Sequence, residues 1–270
     1  MSEVRRQETA DYKPGTFCWV ELGTSNGEEA KNFYTKLFGW GFTDIPIGPN
    51  EVYTILKLND KSVGALYQLN SEMKAQGIPP HWLSYVSVTS ADETAQKSKD
   101  AGGTLMKEPF DVFDLGRMAV VKDPTGAVFA LWQPGTNKGA EIYNVPNSFV
   151  WNELMTTDTK KDGDFYSKVF GWGMNVQNFG SLEYTMLING DRPNGGMLAI
   201  TPEMGNIPPN WLVYFSVDDC DAKVEKATEL GATVMKPAED IAGVGRFAIL
   251  TDPQGAAFAI IKTNPENSPS

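Results

Sequence analysis

Apolar and polar positions alternate over Phe17–Leu22, a run rich in aromatic and β-branched side chains that Gly23 and Thr24 close. This predicts a short strand with Trp19 and Glu21 on one face. The period then changes. Ala30, Phe33, Tyr34, Leu37 and Phe38 recur at i, i+3, i+4, i+7 and i+8, one buried helical stripe, with Ser25 or Asn26 available as the cap and Gly39 as the stop. Strand-like runs follow around Gly41–Ile47, Val52–Leu58 and Val63–Leu69, divided by Gly, Pro, Asn and Asp. The unit reads βαβββ. After a polar loop over 71–80 the order begins again, with a strand over Trp82–Val88 and a helix from a Ser90/Glu93 capping box to Gly102-Gly103. Strands at Thr104–Lys107, Arg117–Lys122 and Val128–Gln133 complete it, the last two joined by an Asp123-Pro124-Thr125-Gly126 turn.

The whole pattern then returns. Phe17-Cys-Trp-Val-Glu-Leu22 reappears as Phe149-Val-Trp-Asn-Glu-Leu154, and Phe-Tyr-x-Lys-x-Phe-Gly-Trp-Gly stands at 33–41 and at 165–173. Pro79-Pro80-His81-Trp82-Leu83 pairs with Pro208-Pro209-Asn210-Trp211-Leu212, and Asp123-Pro124-Thr125-Gly126-Ala127 with Asp252-Pro253-Gln254-Gly255-Ala256. A period this long marks two whole domains, since solenoid repeats run to roughly 20–50 residues. The chain therefore divides into a polar lead-in (1–15), a first domain (16–133), a Gly- and Pro-containing linker (134–148), a second domain (149–263) and a polar tail (264–270).

A formal charge of -11 argues against a nucleic-acid backbone or an anionic membrane surface, both of which reward Lys and Arg. Small molecules or proteins remain as partners. No apolar run approaches the roughly 18 residues of a membrane span, and no apolar stretch follows Arg5-Arg6 as a twin-arginine or secretory signal requires, so the expected compartment is the cytoplasm. Cys18 and Cys220 face Val150 and Ala91 in the repeat, so they read as two free, buried thiols outside the shared plan. Walker A, GxSxG, HExxH and EF-hand patterns are absent.

A tandem βαβββ plan with an FYxxxFGW helix end and a DPxGxxF turn before the last strand resembles the vicinal oxygen chelate superfamily, which includes glyoxalase I, the bleomycin-resistance proteins and the extradiol dioxygenases. Trp-x-Glu-Leu, FYxxLFGW and GRMAVVxDPxGAVFALWQ, with two domains per chain, look like its two-domain glyoxalase-like or hydroxylase-labelled branch. The resemblance implies an α+β fold: two tandem domains, each a pair of βαβββ units forming a curved, cup-like mixed sheet with helices outside. It also implies a divalent ion in the cup, held by His and Glu. Here the first-strand His falls on Trp19 and Trp151, the His opening the second unit on Leu83 and Leu212, and the Glu after the turn glycine on Ala130 and Ala259. With one His in the chain, no metal and no cofactor are expected. An acid-only Mg or Mn site from Glu21 and Glu153 would need the two domains to face each other.

The candidate site residues follow from the same strands. Glu21 and Glu153 are acids inside an apolar cup and need partners, for which Arg117 and Arg246, the arginines at matched positions, are the natural candidates. Such pairs are either structural ties or a substrate-polarising acid with its counter-ion. Trp19, Tyr85, Trp132, Trp151 and Tyr214 fall on cup-facing positions, either as core or as the wall of an aromatic-lined pocket. His81, matched by Asn210, is the candidate for proton transfer, against the simpler reading of a loop residue bonded to backbone. Three function classes result. The first is a metal-independent binding protein that sequesters or senses an aromatic or hydrophobic metabolite or antibiotic. The second is a lyase- or hydroxylase-type enzyme using Glu21, Glu153 or His81 on a small carbonyl or phenolic substrate. The third is a scaffold or homodimer with closed cups.

Overall fold

The computed structural model describes residues 12–49, 51–179 and 182–264, and most of the lead-in and of the tail lies outside them. The first half runs β1 (Phe17–Thr24), α1 (Gly27–Phe38), β2 (Gly41–Gly48), β3 (Glu51–Leu58), β4 (Lys61–Gln68), a short α2 (Ser71–Ala75) within the expected loop, β5 (His81–Ser87), α3 (Ala91–Asp100), β6 (Thr104–Val112), β7 (Gly116–Lys122) and β8 (Val128–Pro134). The second half runs β9 (Phe149–Thr156), α4 (Thr159–Phe170), β10 (Gly173–Phe179), β11 (Leu182–Asn189), β12 (Arg192–Ala199), β13 (Asn210–Ser216), α5 (Cys220–Glu229), β14 (Thr233–Ile241), β15 (Gly245–Thr251) and β16 (Ala257–Thr263). The local signals act as the sequence implies. Asn26 rather than Ser25 caps α1 by accepting from the Glu29 amide, Ser90 caps α3, and Gly39 and Gly171 end α1 and α4 at φ 73° and 75°.

Each half forms one eight-stranded mixed sheet, in the order β2-β3-β4-β1-β5-β8-β7-β6 and β10-β11-β12-β9-β13-β16-β15-β14. The two units of each half meet at an antiparallel seam, β1 with β5 and β9 with β13, and within each unit the outer central strands run parallel. The fold is thus α+β, two tandem domains. Among the described residues no helix is long and apolar enough to cross a membrane.

The two sheets pack through their convex faces, with the helices enclosed between them. At the centre β5 meets β13 and β9 directly: Trp82 lies 5.1 Å from Phe215, and Ser84 Oγ donates to Asn152 Oδ1 at 2.6 Å. Each cup is therefore built within one domain, and the cups open on opposite sides of the molecule. The Phe-Tyr helix motif, expected as helix-to-sheet packing, also crosses between domains. Tyr34 of α1 donates to Asp252 Oδ2 in the turn before β16 (3.0 Å), and Tyr166 of α4 donates to Asp123 Oδ2 in the turn before β8 (2.9 Å). Trp82 and Trp211 donate to those two hydroxyls at 3.0 and 2.8 Å. Trp40 and Trp172 reach the carbonyls of Asn147 and Gly15, which precede the other domain's first strand. The other carboxylate oxygen of Asp123 accepts from the amides of Thr125, Gly126 and Ala127. The DPxG turn is thus a socket pre-set for a phenol.

One socket carries an extra acid. Asp162, in the first turn of α4 where α1 has Ala30, is fully buried and accepts from Thr125 and Thr156 through Oδ2, while its Oδ1 has no hydrogen-bond partner. Burial and the neighbouring Asp123 charge push its pKa up to about 6, opposed by the hydrogen bonds from Thr156 and Thr125 and by Lys161.

Two predictions follow from these contacts. Tyr166→Phe leaves the Trp211 indole and Asp123 Oδ2 each without a buried partner, and should lower stability by about 2–3 kcal/mol in urea unfolding without loss of the fold. For Asp162 the folded-state pKa lies above the ordinary 3.8, so the folded protein holds this proton where the unfolded chain has lost it. That stabilisation is complete below about pH 4 and is lost as pH rises through about 6. The stability difference between Asp162→Asn and the wild type should therefore move in the variant's favour, by on the order of 2 kcal/mol, between pH 4 and 7 and level off above.

Candidate functional site

The concave face of the second sheet is fixed by register. Trp151 pairs with Tyr214, and Glu153 pairs with both Leu212 and Gly196, so these side chains rise together from the centre of the cup. Glu153 is 8% exposed. Its carboxyl accepts from the Tyr214 hydroxyl at 2.9 Å and from the Tyr184 hydroxyl, and Tyr184 in turn accepts from the Trp151 indole at 2.9 Å. Gly196 makes this possible: a Cβ there would stand 1.7 Å from the Tyr184 oxygen. The first cup repeats the device. Tyr53 and Tyr85 donate to the two oxygens of Glu21 at 2.5 and 3.1 Å, and Trp19 donates to Tyr53. Burial raises the pKa of both acids, and the phenol hydrogen bonds oppose the shift only in part.

The arginine partners expected for these acids are elsewhere. Arg117 is held by Asp92 (2.7 and 2.9 Å) and Asp111 (2.9 Å), and Arg246 by Asp221 (2.7 and 2.8 Å) and Asp240 (3.3 Å). The reason is register. Met118 pairs with Trp132, and Phe247 with Ile261, which turns Met118 and Phe247 to the cup and the preceding arginine to the helix-covered face. Neither arginine is brought to the cup floor, and phenols satisfy the acids instead.

The other candidates divide. Trp19, Tyr85 and Trp132 all lie in the first cup, Trp132 edge-on to Tyr85 with its indole donating to the Asn137 carbonyl. His81 sits at the end of that cup opposite Gly23. Its Nδ1 lies 2.8 Å from the Pro79 carbonyl, an acceptor, so Nδ1 carries the proton, and burial lowers the ring's pKa. Asn210 makes the same contact to Pro208 in the second domain, so the backbone bond belongs to the shared strand entry. Tyr53, Tyr184 and Gly196 are site residues that strand alternation from β1 did not reach. For the two tyrosines the signal is present as a second repeat, Tyr-Thr-x-Leu at 53–56 and 184–187.

A cavity of about 1850 Å³ occupies the second cup. Trp151, Glu153, Tyr184, Tyr214, Met186 and Phe247 line it, and Tyr12, Lys13, Pro14 and Thr16 before β1 and Tyr143 of the linker add a wall from outside the sheet. Asn189 ties that wall down by donating to the Pro14 carbonyl at 3.0 Å. The donor chemistry does not fit the metal that the cup fold implies. Each floor presents a single carboxyl already bonded to two phenols, and no group of three His, Cys, Asp or Glu gathers among the described residues.

Comparison with known proteins places this architecture. The chain is 39% identical over 259 residues to Putative glyoxylase CFP32 of Mycobacterium tuberculosis (strain CDC 1551 / Oshkosh), covering 95% of this chain and 98% of that one. It is 35% identical over 263 residues to the anthracycline biosynthesis protein DnrV of Streptomyces peucetius, covering 93% and 94%. Among solved structures, the Mn(II)-bound glyoxalase from Novosphingobium aromaticivorans superposes with a TM-score of 0.64 at 16% identity (93% of this chain, 82% of that one). The 2,3-dioxygenase LapB from Pseudomonas sp. KL28 gives 0.65 at 13% (97% and 98%), and at such identities the likeness is one of fold. The family model of the Glyoxalase/Bleomycin resistance protein/Dioxygenase superfamily matches residues 16–131 and again 148–260, and the chain belongs to that superfamily.

Proposed function

We propose that the protein binds an aromatic or hydrophobic small molecule in the cup of its second domain, without a metal, and that Glu153 is the polar anchor of that site. The observation that carries this reading is the cavity of about 1850 Å³ with one buried carboxyl at its floor. Its walls are aromatic and thioether side chains, which suit planar apolar ligands, and a few convergent polar groups are what such pockets use for orientation. The likeness along nearly the whole chain to a protein named for anthracycline biosynthesis agrees with a polycyclic ligand.

A second reading, an acid–base enzyme, is favoured by the raised pKa of Glu153 beside two phenols. A buried carboxyl whose ionisation is disfavoured can give a proton to a bound carbonyl. The same residue serves both readings, and they differ in turnover rather than in place.

N-phenyl-1-naphthylamine, whose emission rises in apolar surroundings, tests the site. It should bind at one molecule per chain, with an affinity unchanged after dialysis against EDTA. Trp151→Ala should weaken it about tenfold, as loss of a buried aromatic wall does. Binding that disappears with EDTA, or that ignores Trp151→Ala, would sink the proposal. Glu153→Gln separates the two readings: retained probe binding with lost turnover of a carbonyl substrate identifies an enzyme.

A further inference from the structure

The direction of the hydrogen bonds at the floor of the second cup says what a ligand must present there. An indole N–H donates and never accepts. Trp151 therefore occupies an acceptor position of the Tyr184 oxygen and obliges the Tyr184 proton to point away from it, onto Glu153. Tyr214 also gives its proton to Glu153. Both neighbouring phenols are thus committed as donors to the carboxyl, and neither is left to receive its proton. Among the described residues no ion pair reaches it. Arg246 is bound to Asp221 and Asp240 on the other face of β15, and Lys236, which lines the cavity with Lys13 and Arg192 and opposes the upward shift of the Glu153 pKa from a distance, bonds to Glu239. A Glu153 carboxyl that keeps its proton in this buried setting therefore has only a ligand in the cavity to give it to.

We propose that the ligand places a carbonyl oxygen, of a ketone or quinone on an aromatic framework, on the Glu153 carboxyl, and that Trp151 is a positioning residue that sets the direction of the chain Trp151 to Tyr184 to Glu153. This rests on the assignment of the second cup as the binding site. The opposite arrangement, an ionised floor that seizes an amine or a phenol, would leave a buried carboxylate on which Lys236 acts only from a distance while bonded to Glu239, which is the costlier state for a buried acid. Gly196 completes the device. It leaves the Tyr184 hydroxyl room beside Glu153, and any larger residue would push that hydroxyl away and free Glu153 from its committed donor.

Two tricyclic probes of nearly one shape decide the matter, 9-fluorenone, which carries a carbonyl, and fluorene, which does not. Wild-type protein should bind fluorenone at least tenfold more tightly, and the bound carbonyl stretch should move to lower wavenumber than in an apolar solvent. Glu153→Leu should bind the two equally while still binding fluorene, and Trp151→Phe, which keeps a ring but loses the N–H, should reduce the preference several-fold. Binding of both probes with equal affinity by the wild type, or tighter binding of 9-aminofluorene than of fluorenone, would overturn the carbonyl assignment and leave the site standing. Binding of neither probe to the wild type would overturn both. Should Glu153→Leu fail to fold, the carbonyl frequency in the wild type still decides, because an unshifted stretch contradicts a hydrogen bond from Glu153.

Discussion

The architecture depends on a phenol placed in a turn. Tyr34 and Tyr166 each leave their own domain and dock on the carboxylate of the other domain's Asp-Pro-x-Gly turn, with a tryptophan from β5 or β13 donating to the same hydroxyl. Because both contacts are made on the convex side, the helices become the filling between two sheets, and the cups have to open outward. A buried tyrosine, a buried carboxylate and a buried indole are each costly alone, and together they satisfy one another. The repeated motifs are therefore better understood as the grammar of the domain interface than as marks of a reactive centre.

The cups solve a similar problem in the opposite way. A carboxyl on the concave face has no arginine, because the arginine one residue before the cup-facing Met118 or Phe247 is carried by alternation to the helix side and neutralised by Asp92 or Asp221. Two phenols and an indole take its place. They provide hydrogen bonds without a full counter-charge, so they hold the acid in position and offset only part of the upward pKa shift that burial imposes. In a cup built to chelate a metal the corresponding positions are imidazoles and carboxylates. Here those positions hold Trp151, Leu212 and Ala259, none of which carries a metal-ligating group, and Glu153 stands two residues along the strand from Trp151.

Much of this was legible in the sequence, for a physical reason. Helix and strand periods, caps and the glycine stops are local, and the duplication doubled each signal, so the βαβββ order and the cup-facing positions of Trp19, Glu21, Tyr85 and Trp132 could be read before any fold was known. Register between strands is not local. Arg117 and Trp132 both lie on strands beside the cup, but only the pairing of Met118 with Trp132 reveals that they point to opposite sides. The exchange of Tyr34 and Tyr166 between domains is likewise invisible, since an inward-facing tyrosine has the same periodicity whichever sheet receives it. Tyr184 was missed although its repeat partner Tyr53 stands in plain view, because β3 and β11 lie two strands from the acids they serve.

Duplication also explains how the walls of the two cups differ. The floors are alike, but the walls have exchanged bulk. Trp132 and Tyr67 of the first cup are matched by Ile261 and Leu198 in the second, while Met155 and Phe247 return part of that volume where the first cup has Gly23 and Met118. Side-chain volume alone therefore does not account for the cavity. The added term is the wall supplied by Tyr12, Lys13, Pro14, Thr16 and Tyr143, which lengthens the second cup beyond its own sheet. The cup is built within one domain, but the cavity above it is bounded by more: its floor comes from the second repeat, and one of its walls comes from the segments that lead into and out of the first. The phenol-in-turn contacts, which fix how the domains meet, thereby also fix the shape of the space above Glu153. Interface and cavity are then coupled through the placement of Gly15, whose carbonyl receives Trp172 while its neighbours face the cavity.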